Sequence, residues 1–411
     1  MTKARGDAPF FYKTRRRHLT RRLSHGRGPG LHYIPDVITE TEPVPAPAPA
    51  PVRKAPAPAL SLAGLLPEEL TAAIVEAGGK PYRAKQVQEW IFQKRARSFG
   101  EMTNLPQALR DQLAERFPFN PMSVAKIQGA RDATRKFLFR LADGRYVESV
   151  LIPANKGWMG GQSDRLTLCV SSQVGCAYDC KFCASGLAGF TRNLQADEIV
   201  GQVMLAEREA GERVDNLVFM GMGEPLANFT NLTRALTILQ AHWGLNIGAR
   251  HITVSTSGLA PQIKKLADFD IPVRLAISLH GATDEVRNRI MPVNEKYPLE
   301  TLFEALRYFK QRRKQKITLE YILIQGVNDG LDEARALARR TRALEAKVNL
   351  IPYNTVEGLP WVRPGEPEQD AFCATLVANG VPATIRREKG HDIDAACGQL
   401  RLKQETAEGL S

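Results

Sequence analysis

The sequence predicts an α/β fold, a partial or complete barrel in which parallel strands alternate with helices. From about Arg165 onward, short runs rich in β-branched and apolar residues alternate with segments of helical periodicity. Strands are predicted at 166–170, 216–220, 251–255, 273–279, 317–324 and 348–351, and helices at 196–209, 299–311 and 332–344. Such repeats give parallel strands joined by right-handed crossovers, with functional residues at the carboxyl ends of the strands. This barrel core is predicted at 165–400, followed by a tail at 401–411.

Composition limits the classes of protein that the chain can represent. Its 411 residues are 43% hydrophobic and 24% charged, which is typical of a soluble globular protein of two or three domains. No apolar run approaches the ~18–20 residues that a membrane span needs, and six cysteines are too few for a disulfide scaffold. We therefore expect a cytoplasmic protein with no membrane partner. The net charge of +12 favours an anionic partner.

Residues 1–60 are predicted to be a disordered basic tail and an extended linker. Residues 1–34 hold nine Lys or Arg against one acid, and residues 44–58 alternate Pro with other residues, mostly Ala, which excludes a helix. The alternatives are a tail that also binds RNA phosphates and an organelle transit peptide.

A small helical accessory domain is predicted at 61–121. Val87, Trp90 and Ile91 recur at helical spacing and form an apolar stripe. Basic residues flank this stripe: Lys80, Arg83, Lys85, Lys94 and Arg95. The segment is therefore either an ordinary packed surface helix or a module that docks RNA.

A β-hairpin extension and an insertion are predicted at 122–164. Two apolar runs flank Asp143 and Gly144, a dipeptide that favours a tight turn. Glu148 lies in the second run, on the same face as apolar neighbours. It is either an ordinary exposed glutamate or a carboxylate that faces a site.

Three cysteines follow the first strand of the predicted barrel, at gaps of three and two residues: Cys176, Cys180 and Cys183. Structural zinc sites normally close with four ligands, whereas an iron–sulfur cluster held by three thiolates leaves one iron open. An open iron can bind a small molecule through its amino and carboxylate groups. The spacing therefore indicates a cluster that also holds a cofactor.

Polar or glycine-rich residues end several other predicted strands. The second strand leads into a Gly-Met-Gly-Glu-Pro loop that contains Gly223 and Glu224. The loop lacks the residues of a dinucleotide fingerprint, but its glycines let a ligand approach the backbone and Glu224 can pair with an amino group. Later strands end in Ser255, in Ser278-Leu279-His280 and in Asn354. Together with the cysteine loop, these ends predict one ligand site.

Two further cysteines are candidates for chemistry. Cys169 is either a small buried strand residue or a fourth thiolate that would turn the loop into a structural zinc site. Cys397 lies among small residues beside Gly398, a context that indicates an accessible turn.

The chain resembles the radical S-adenosylmethionine (radical-SAM) RNA methyl synthases in six motifs: SSQVGCAYDCKFCASG, GMGEPL, STSG, AISLH, NLIPYN and DIDAACGQL. Among them it resembles the RlmN type, which methylates adenine C2 in the peptidyl-transferase region of 23S rRNA and 3′ of the anticodon in tRNA. The resemblance covers roughly residues 86–400 and implies a partial (β/α)6 radical-SAM barrel. Residues 1–60 and the insertion at 155–164 lie outside it.

The resemblance implies a role for each candidate residue. Cys176, Cys180 and Cys183 would hold a [4Fe-4S] cluster. SAM would be contacted by Gly223, Glu224, Ser255, Ser278, Leu279, His280 and Asn354. Cys397 would be the methyl carrier, Cys169 the resolving thiol and Glu148 the proton acceptor. One SAM molecule would methylate the Cys397 thiolate and a second would supply the radical that activates this methyl group, so that each turnover uses two. A disulfide between Cys169 and Cys397 would remain after release of the product.

The resemblance also implies partners and leaves two alternatives. We expect 23S rRNA and tRNA as substrates, an electron donor such as flavodoxin or ferredoxin, and a monomer. A related enzyme type that methylates adenine C8 uses the same cysteines. A protein of another class, an RNA-binding protein with a zinc site of Cys169 and the triplet, would be colourless, whereas a cluster gives brown, oxygen-sensitive protein.

Overall fold

The computed structural model describes residues 59–129, 134–153, 165–187, 189–386 and 398–409. Its strands are β1 (Met122–Gln128), β2 (Arg135–Leu141), β3 (Tyr146–Pro153), β4 (Leu166–Cys169), β5 (Gln173–Gly175), β6 (Phe190–Asn193), β7 (Asn216–Phe219), β8 (Ile252–Thr256), β9 (Arg274–Ser278), β10 (Thr318–Leu323), β11 (Lys347–Pro352) and β12 (Ala383–Ile385). Its helices are α1 (Pro67–Glu76), α2 (Arg83–Gln88), α3 (Gln107–Arg116), α4 (Ala184–Leu187), α5 (Ala196–Ala210), α6 (Phe229–Gln240), α7 (Ala260–Asp268), α8 (Asp284–Ile290), α9 (Val293–Lys296), α10 (Leu299–Arg312), α11 (Leu331–Leu344), α12 (Glu366–Ala378) and α13 (Gln399–Ala407).

One ten-stranded sheet organises the fold, in the order β1-β2-β3-β4-β7-β8-β9-β10-β11-β12. The strands from β4 to β12 are parallel to their neighbours, whereas β1 to β4 pair antiparallel. Because β1 and β12 are its two edges, the described sheet is an open, partial barrel. The six predicted barrel strands correspond to β4 and β7 to β11, and the predicted fold class is confirmed. No helix in the described ranges combines the length and the apolar character needed to cross a bilayer.

The structure adds strands that the sequence pattern did not predict. β1 pairs with β2, so that the predicted hairpin is a three-stranded antiparallel unit. Four of the seven residues of β1 are polar or small, and this strand therefore lacks a clear apolar alternation. β5 and β6 form a separate two-stranded sheet around the cysteine loop, and β12 adds a seventh parallel strand to the barrel.

The C-terminal boundary also differs from the prediction, which ended the core at residue 400 and treated 401–411 as a tail. α13 continues past this boundary and packs on the antiparallel unit, where Leu400 clusters with Leu138 and Tyr146. The Tyr146 hydroxyl donates to Glu408 Oε1 at 2.7 Å. Arg401 and Glu405 of this helix are buried. Because charged residues are normally exposed, the sequence alone indicated a polar tail here.

The N-terminal helices pack directly on the barrel helices. Val87 and Ile91 of the predicted apolar stripe are buried in the common core. The Ser61 amide donates to Asp197 Oδ2 of α5 at 2.7 Å, and Arg234 of α6 donates to the Gly64 carbonyl at 2.7 Å. The accessory helices therefore share a hydrophobic core with the barrel instead of forming an isolated module.

The contact between Ser61 and Asp197 predicts that the free energy of unfolding depends on pH in an unusual way. Burial raises the pKa of Asp197 from 3.8 to about 6, although Ser61 donates to its carboxylate. The folded chain binds this proton more tightly than the unfolded chain, so that ionisation removes about 3 kcal/mol of stability as the pH rises from 3.8 to 6. Asp197→Asn keeps an acceptor for Ser61 but cannot ionise. We expect it to raise the free energy of unfolding by about 2 kcal/mol at pH 8 and to give no gain near pH 4.

Urea unfolding of both proteins across this pH range measures the difference. The matched control is Asp270→Asn, which removes an exposed carboxylate of the same charge. A stability difference between Asp197→Asn and the parent that does not change with pH would contradict the assignment.

Candidate active site

A cavity of about 620 Å³ opens at the carboxyl ends of the parallel strands, within the size range of small-molecule sites. The parallel pairing explains its position, because consecutive strand ends and their loops meet at one edge of the sheet. Ten of the predicted site residues line it: Cys169, Cys176, Cys180, Cys183, Gly223, Glu224, Ser255, Ser278, His280 and Asn354. The structure thus brings together residues that are spread over almost two hundred positions of the sequence.

The cysteine loop is held in shape by the two-stranded sheet of β5 and β6. Gly175 adopts φ +76°, and a Cβ at this position would lie 1.8 Å from the Gly189 carbonyl oxygen. The Cys176 amide donates to that same carbonyl at 3.0 Å, and the Cys183 amide donates to Cys180 O at 3.0 Å. The sequence Gly-Cys at the start of the loop therefore reflects a close backbone crossing that only glycine allows.

The thiols of this loop are suited to a metal centre. Burial raises the pKa of the Cys176 thiol to about 12, and the charge of Cys183 adds to this effect. Burial also raises the pKa of Cys180 well above its ordinary value, with further contributions from Cys183 and Cys176. Bound iron ions offset both causes, because metal binding deprotonates thiols and compensates their charge. A cluster held by three of them fits this donor set.

A four-thiolate zinc site needs a compact group of ligands around one ion. Among the described residues, no three His, Cys, Asp or Glu side chains converge closely enough to hold a single metal ion. The thiolates that hold a four-iron cluster can lie farther apart, since each of them binds a different iron.

The Gly-Met-Gly-Glu loop after β7 places one carboxylate in the wall of the cavity. Gly223 adopts φ +93°, and a Cβ there would lie 2.4 Å from the Gln173 side chain. Glu224 is buried and accepts hydrogen bonds from the Ser257 amide at 2.7 Å and the Leu226 amide at 3.0 Å. Burial raises its pKa, while these amide donors lower it. The carboxylate is thereby fixed in orientation before any ligand binds.

His280 presents a neutral imidazole to the cavity. Burial lowers its pKa to about 3, and the charge of Arg287 acts in the same direction. Its Nδ1 accepts from the Ile322 amide at 3.1 Å, which places the ring hydrogen on Nε2. The ring lies edge-on to Phe182 of the cysteine loop, with centroids 5.0 Å apart. His280 therefore offers a hydrogen-bond donor and no positive charge.

Sequence reasoning missed a buried carboxylate in the cavity wall, Glu320 of β10. It pairs in register with Ser278 of β9 and with Asn349 of β11, whose amide donates to Glu320 Oε2 at 2.6 Å. The Ser278 hydroxyl in turn lies 3.4 Å from that of Ser255. These side chains form a polar row from β8 to β11, and Ser255, Ser278 and Glu320 of this row line the cavity. A glutamate within the apolar run Thr318–Leu323 was the signal available in the sequence.

Arg287 of α8 is a second residue that the sequence analysis did not identify. Its guanidinium is fully buried and donates to Leu279 O at 3.0 Å, to Asn294 Oδ1 at 2.7 Å and to Ser257 O. Burial lowers its pKa to about 10. The two carbonyls belong to the loops that follow β9 and β8, so Arg287 ties together two of the strand ends that form the cavity.

Two predicted site residues, Leu279 and Glu148, do not line the cavity. The Leu279 side chain is in the hydrophobic core, and only its backbone is close to the cavity. Glu148 is buried on β3 beside the cavity, and its carboxylate binds the start of α13. Cys397 lies outside the described residues, as do the insertion at 155–164 and the basic tail.

Comparison with known proteins agrees with this site. Two family models match, the radical SAM superfamily at residues 170–338 and the ribosomal RNA large subunit methyltransferase N-terminal domain at residues 60–118. A probable dual-specificity RNA methyltransferase RlmN of Akkermansia muciniphila is 56% identical over 338 residues, which are 82% of this chain and 94% of that protein. The dual-specificity RNA methyltransferase RlmN of Campylobacter fetus is 45% identical over 328 residues, 78% of this chain and 93% of that protein.

A solved structure is similar over nearly its whole length. A radical SAM methyltransferase from Sphaerobacter thermophilus matches with a TM-score of 0.78 and 43% identity, covering 83% of this chain and 98% of its own. Fold, cysteine loop and family models together define a radical-SAM enzyme. Within that superfamily, the identity to curated relatives over most of both chains shows that this chain belongs to the RlmN family of dual-specificity RNA methyltransferases. The resemblance and the expected cofactors, a [4Fe-4S] cluster and SAM, are confirmed.

Arg287 is predicted to maintain the shape of this site. Arg287→Met leaves three buried acceptors without their donor, and we expect it to lower the free energy of unfolding by about 2–3 kcal/mol. Arg287→Lys keeps the charge but loses the planar fork, and it should recover about half of this loss. Urea unfolding measures both variants, with Arg289→Met, an exposed position on the same helix, as the control. A loss in Arg287→Met no larger than in the control would show that these bonds do not stabilise the strand ends.

Proposed function

We propose that this chain methylates C2 of an adenosine in the peptidyl-transferase region of 23S rRNA and of an adenosine 3′ of the anticodon in tRNA. The observation that carries the proposal is the shared cavity, which is lined by both the cysteine triplet and Cys169. Relatives that cover most of this chain are named dual-specificity RNA methyltransferases.

The cysteine triplet is proposed to hold the cluster, and the polar strand ends to hold SAM. When bound, these two groups supply the transferable methyl group and the radical that activates it. The Glu224 carboxylate suits a cationic amino group, and the Nε2 hydrogen of His280 suits an acceptor on the ligand. Gly223 lets the ligand approach the backbone, while Ser255, Ser278 and Asn354 add hydroxyl and amide groups.

Three residues are proposed to act on the methyl group and the base. The Cys397 thiolate accepts a methyl group as nucleophile, because adenine C2 has no lone pair with which to attack the methyl group. Glu148 accepts the C2 proton after the carbon–carbon bond has formed. The Cys169 thiolate then attacks the Cys397 sulfur and forms a disulfide, and the electron pair of the broken sulfur–carbon bond stays on the carbon, which takes up a proton to complete the methyl group. The unpaired electron of the adduct would return to the bound cluster. Cys169 lies in β4 directly opposite Val150, two residues from Glu148.

We also propose an electron donor, an oligomeric state, a cellular compartment and an RNA-docking surface for this chain. An electron donor such as flavodoxin or ferredoxin reduces the cluster, and the chain acts as a monomer in the cytoplasm. The accessory helices α1 to α3 dock RNA through a basic face, which consists of Lys80, Arg83, Lys85, Lys94 and Arg95. Lys80 and Lys85 are exposed there, whereas Arg95 is engaged by Glu207 in an ion pair of 2.5 Å.

Nucleoside analysis tests the reaction. Anaerobically reconstituted protein is incubated with SAM, a reductant and transcripts of 23S rRNA or tRNA, and the digested RNA is analysed by mass spectrometry against both methyladenosine standards. We expect 2-methyladenosine in both RNAs. Cys397→Ala should lower the product by at least about 10³-fold, because a nucleophile is lost. Its iron content should equal that of the parent, whereas Cys180→Ala should lose iron.

Two other results of the nucleoside analysis would contradict the proposal in different ways. Formation of 8-methyladenosine would assign the chain to the C8 alternative. Undiminished product from Cys397→Ala would refute the carrier role.

RNA docking by the accessory helices is tested through its salt dependence. We expect Lys80→Ala/Lys85→Ala to weaken RNA binding and to make the slope of log K against log salt less negative by about 0.7–0.9 per lost phosphate contact. Lys264→Ala/Lys265→Ala removes two exposed lysines of α7 and is the matched control. Equal slopes for the two double variants would place the RNA elsewhere.

A further inference from the structure

Glu148 makes an unusual set of contacts for a residue expected to act as a base. Its Oε2 accepts from the Gly398 amide at 2.9 Å and its Oε1 accepts from the Arg401 amide at 2.7 Å. The Lys136 ammonium lies 3.1 Å from Oε2, and both side chains of this ion pair are almost completely buried. The carboxylate therefore binds the amino end of α13, where backbone amides lack partners within the helix.

The same end of α13 is constrained from a second side. Gly398 adopts φ +93°, and a Cβ at this position would lie 3.0 Å from Ser185 Oγ and 3.1 Å from the Ser185 amide nitrogen. Ser185 belongs to α4, which begins directly after Cys183. The start of α13 is thus held between Glu148 of β3 and the short helix that follows the cysteine loop.

The placement of Lys136 explains how the buried carboxylate is tolerated. An isolated buried carboxylate is costly unless it is paired and hydrogen-bonded. Lys136 of β2 pairs in register with Val150 of β3, which pairs with Cys169 of β4. Cross-strand neighbours share a face of the sheet. Lys136, Val150 and Cys169 accordingly all line the cavity, and the Lys136 ammonium is available there as the counter-ion of Glu148.

We propose that Glu148 and Lys136 anchor the start of α13 and thereby position Cys397, the residue that precedes Gly398 in the chain, for its methylation. This inference rests on the proposed function. Lys136 is a positioning residue that acts through Glu148. Glu148 has this task in addition to accepting the proton: of its four lone-pair sites, the three contacts occupy two on Oε2 and one on Oε1. No other residue in the described ranges contacts Oε1, which leaves one of its lone-pair sites for a proton.

The anchor and the proton acceptor act at different steps, which allows them to be separated. In the loading step, the Cys397 thiolate forms a bond to the methyl carbon of SAM. The bond from that carbon to the sulfonium sulfur breaks, its electron pair leaves with S-adenosylhomocysteine, and the thiol proton passes to solvent. No proton leaves adenine C2 in this step. A Glu148 that served only as the base would therefore not affect loading.

Loading is measured on reconstituted protein with SAM, without reductant and without RNA, by quenching at intervals and quantifying the methylated Cys397 peptide by mass spectrometry. We expect Lys136→Met and Glu148→Gln to slow loading by about tenfold or more, because small displacements of a reacting group are costly. Lys136→Arg keeps the charge and should stay within about threefold of the parent. The control Tyr146→Phe removes the bond to Glu408 at the other end of α13 and should stay within about twofold.

Amide hydrogen exchange of the peptide that spans residues 398–407 provides a readout that needs neither activity nor cluster. Exchange should be faster in Lys136→Met and Glu148→Gln, and unchanged in Lys136→Arg. Unchanged exchange in both disruptive variants would overturn the anchor, and so would normal loading despite faster exchange. If the parent itself never methylates Cys397, the proposed function fails while the exchange result still decides whether Glu148 holds α13.

Discussion

Parallel pairing of β4 and β7 to β11 is the constraint on which the site depends. It sends every strand end to one edge of the sheet, where loops must turn back toward the helices. Backbone carbonyls at these turns are buried and need donors. Arg287 supplies them to the ends of β8 and β9 at once, and Asn328 adds a second donor after β9, to the His280 carbonyl at 2.7 Å. The cavity therefore exists because side chains satisfy the backbone that the parallel sheet leaves unpaired.

Low polarity within this cavity determines the charge of its residues. The same burial raises the pKa of the cysteine thiols and lowers that of His280. Both shifts favour the neutral form, as expected where water is excluded. A bound cluster reverses the situation for the thiols, because iron compensates their negative charge. Burial and the charge of Arg287 lower the pKa of His280, and the Ile322 amide fixes its tautomer, so that the site keeps one neutral donor.

Sequence alone predicted the elements whose periodicity is strong. α5, α10 and α11 begin and end within one residue of their predicted bounds, and the cysteine and strand-end motifs identified ten residues of the cavity wall. The contributions of Arg287 and Lys136 depend on tertiary contacts that leave no local pattern, since a lone arginine or lysine is normally solvated. α13 was missed for a related reason, because its buried charges make an amphipathic helix resemble a polar tail.

The antiparallel unit of β1 to β3 pairs with β4 and also places Lys136 and Glu148 beside the cavity. Side chains alternate between the faces of a strand, so a shift of β2 by one residue against β3 would turn Lys136 away from Val150 and Glu148. The pairing of Val150 with Cys169 sets the same face for Cys169. The strand pairings therefore place Lys136, Val150 and Cys169 on one wall of the cavity, with Glu148 buried beside it. Leu400 of α13 packs on Leu138 of β2, and Leu138 pairs with Glu148 of β3. These contacts fix the position of α13 relative to the strand that carries Glu148.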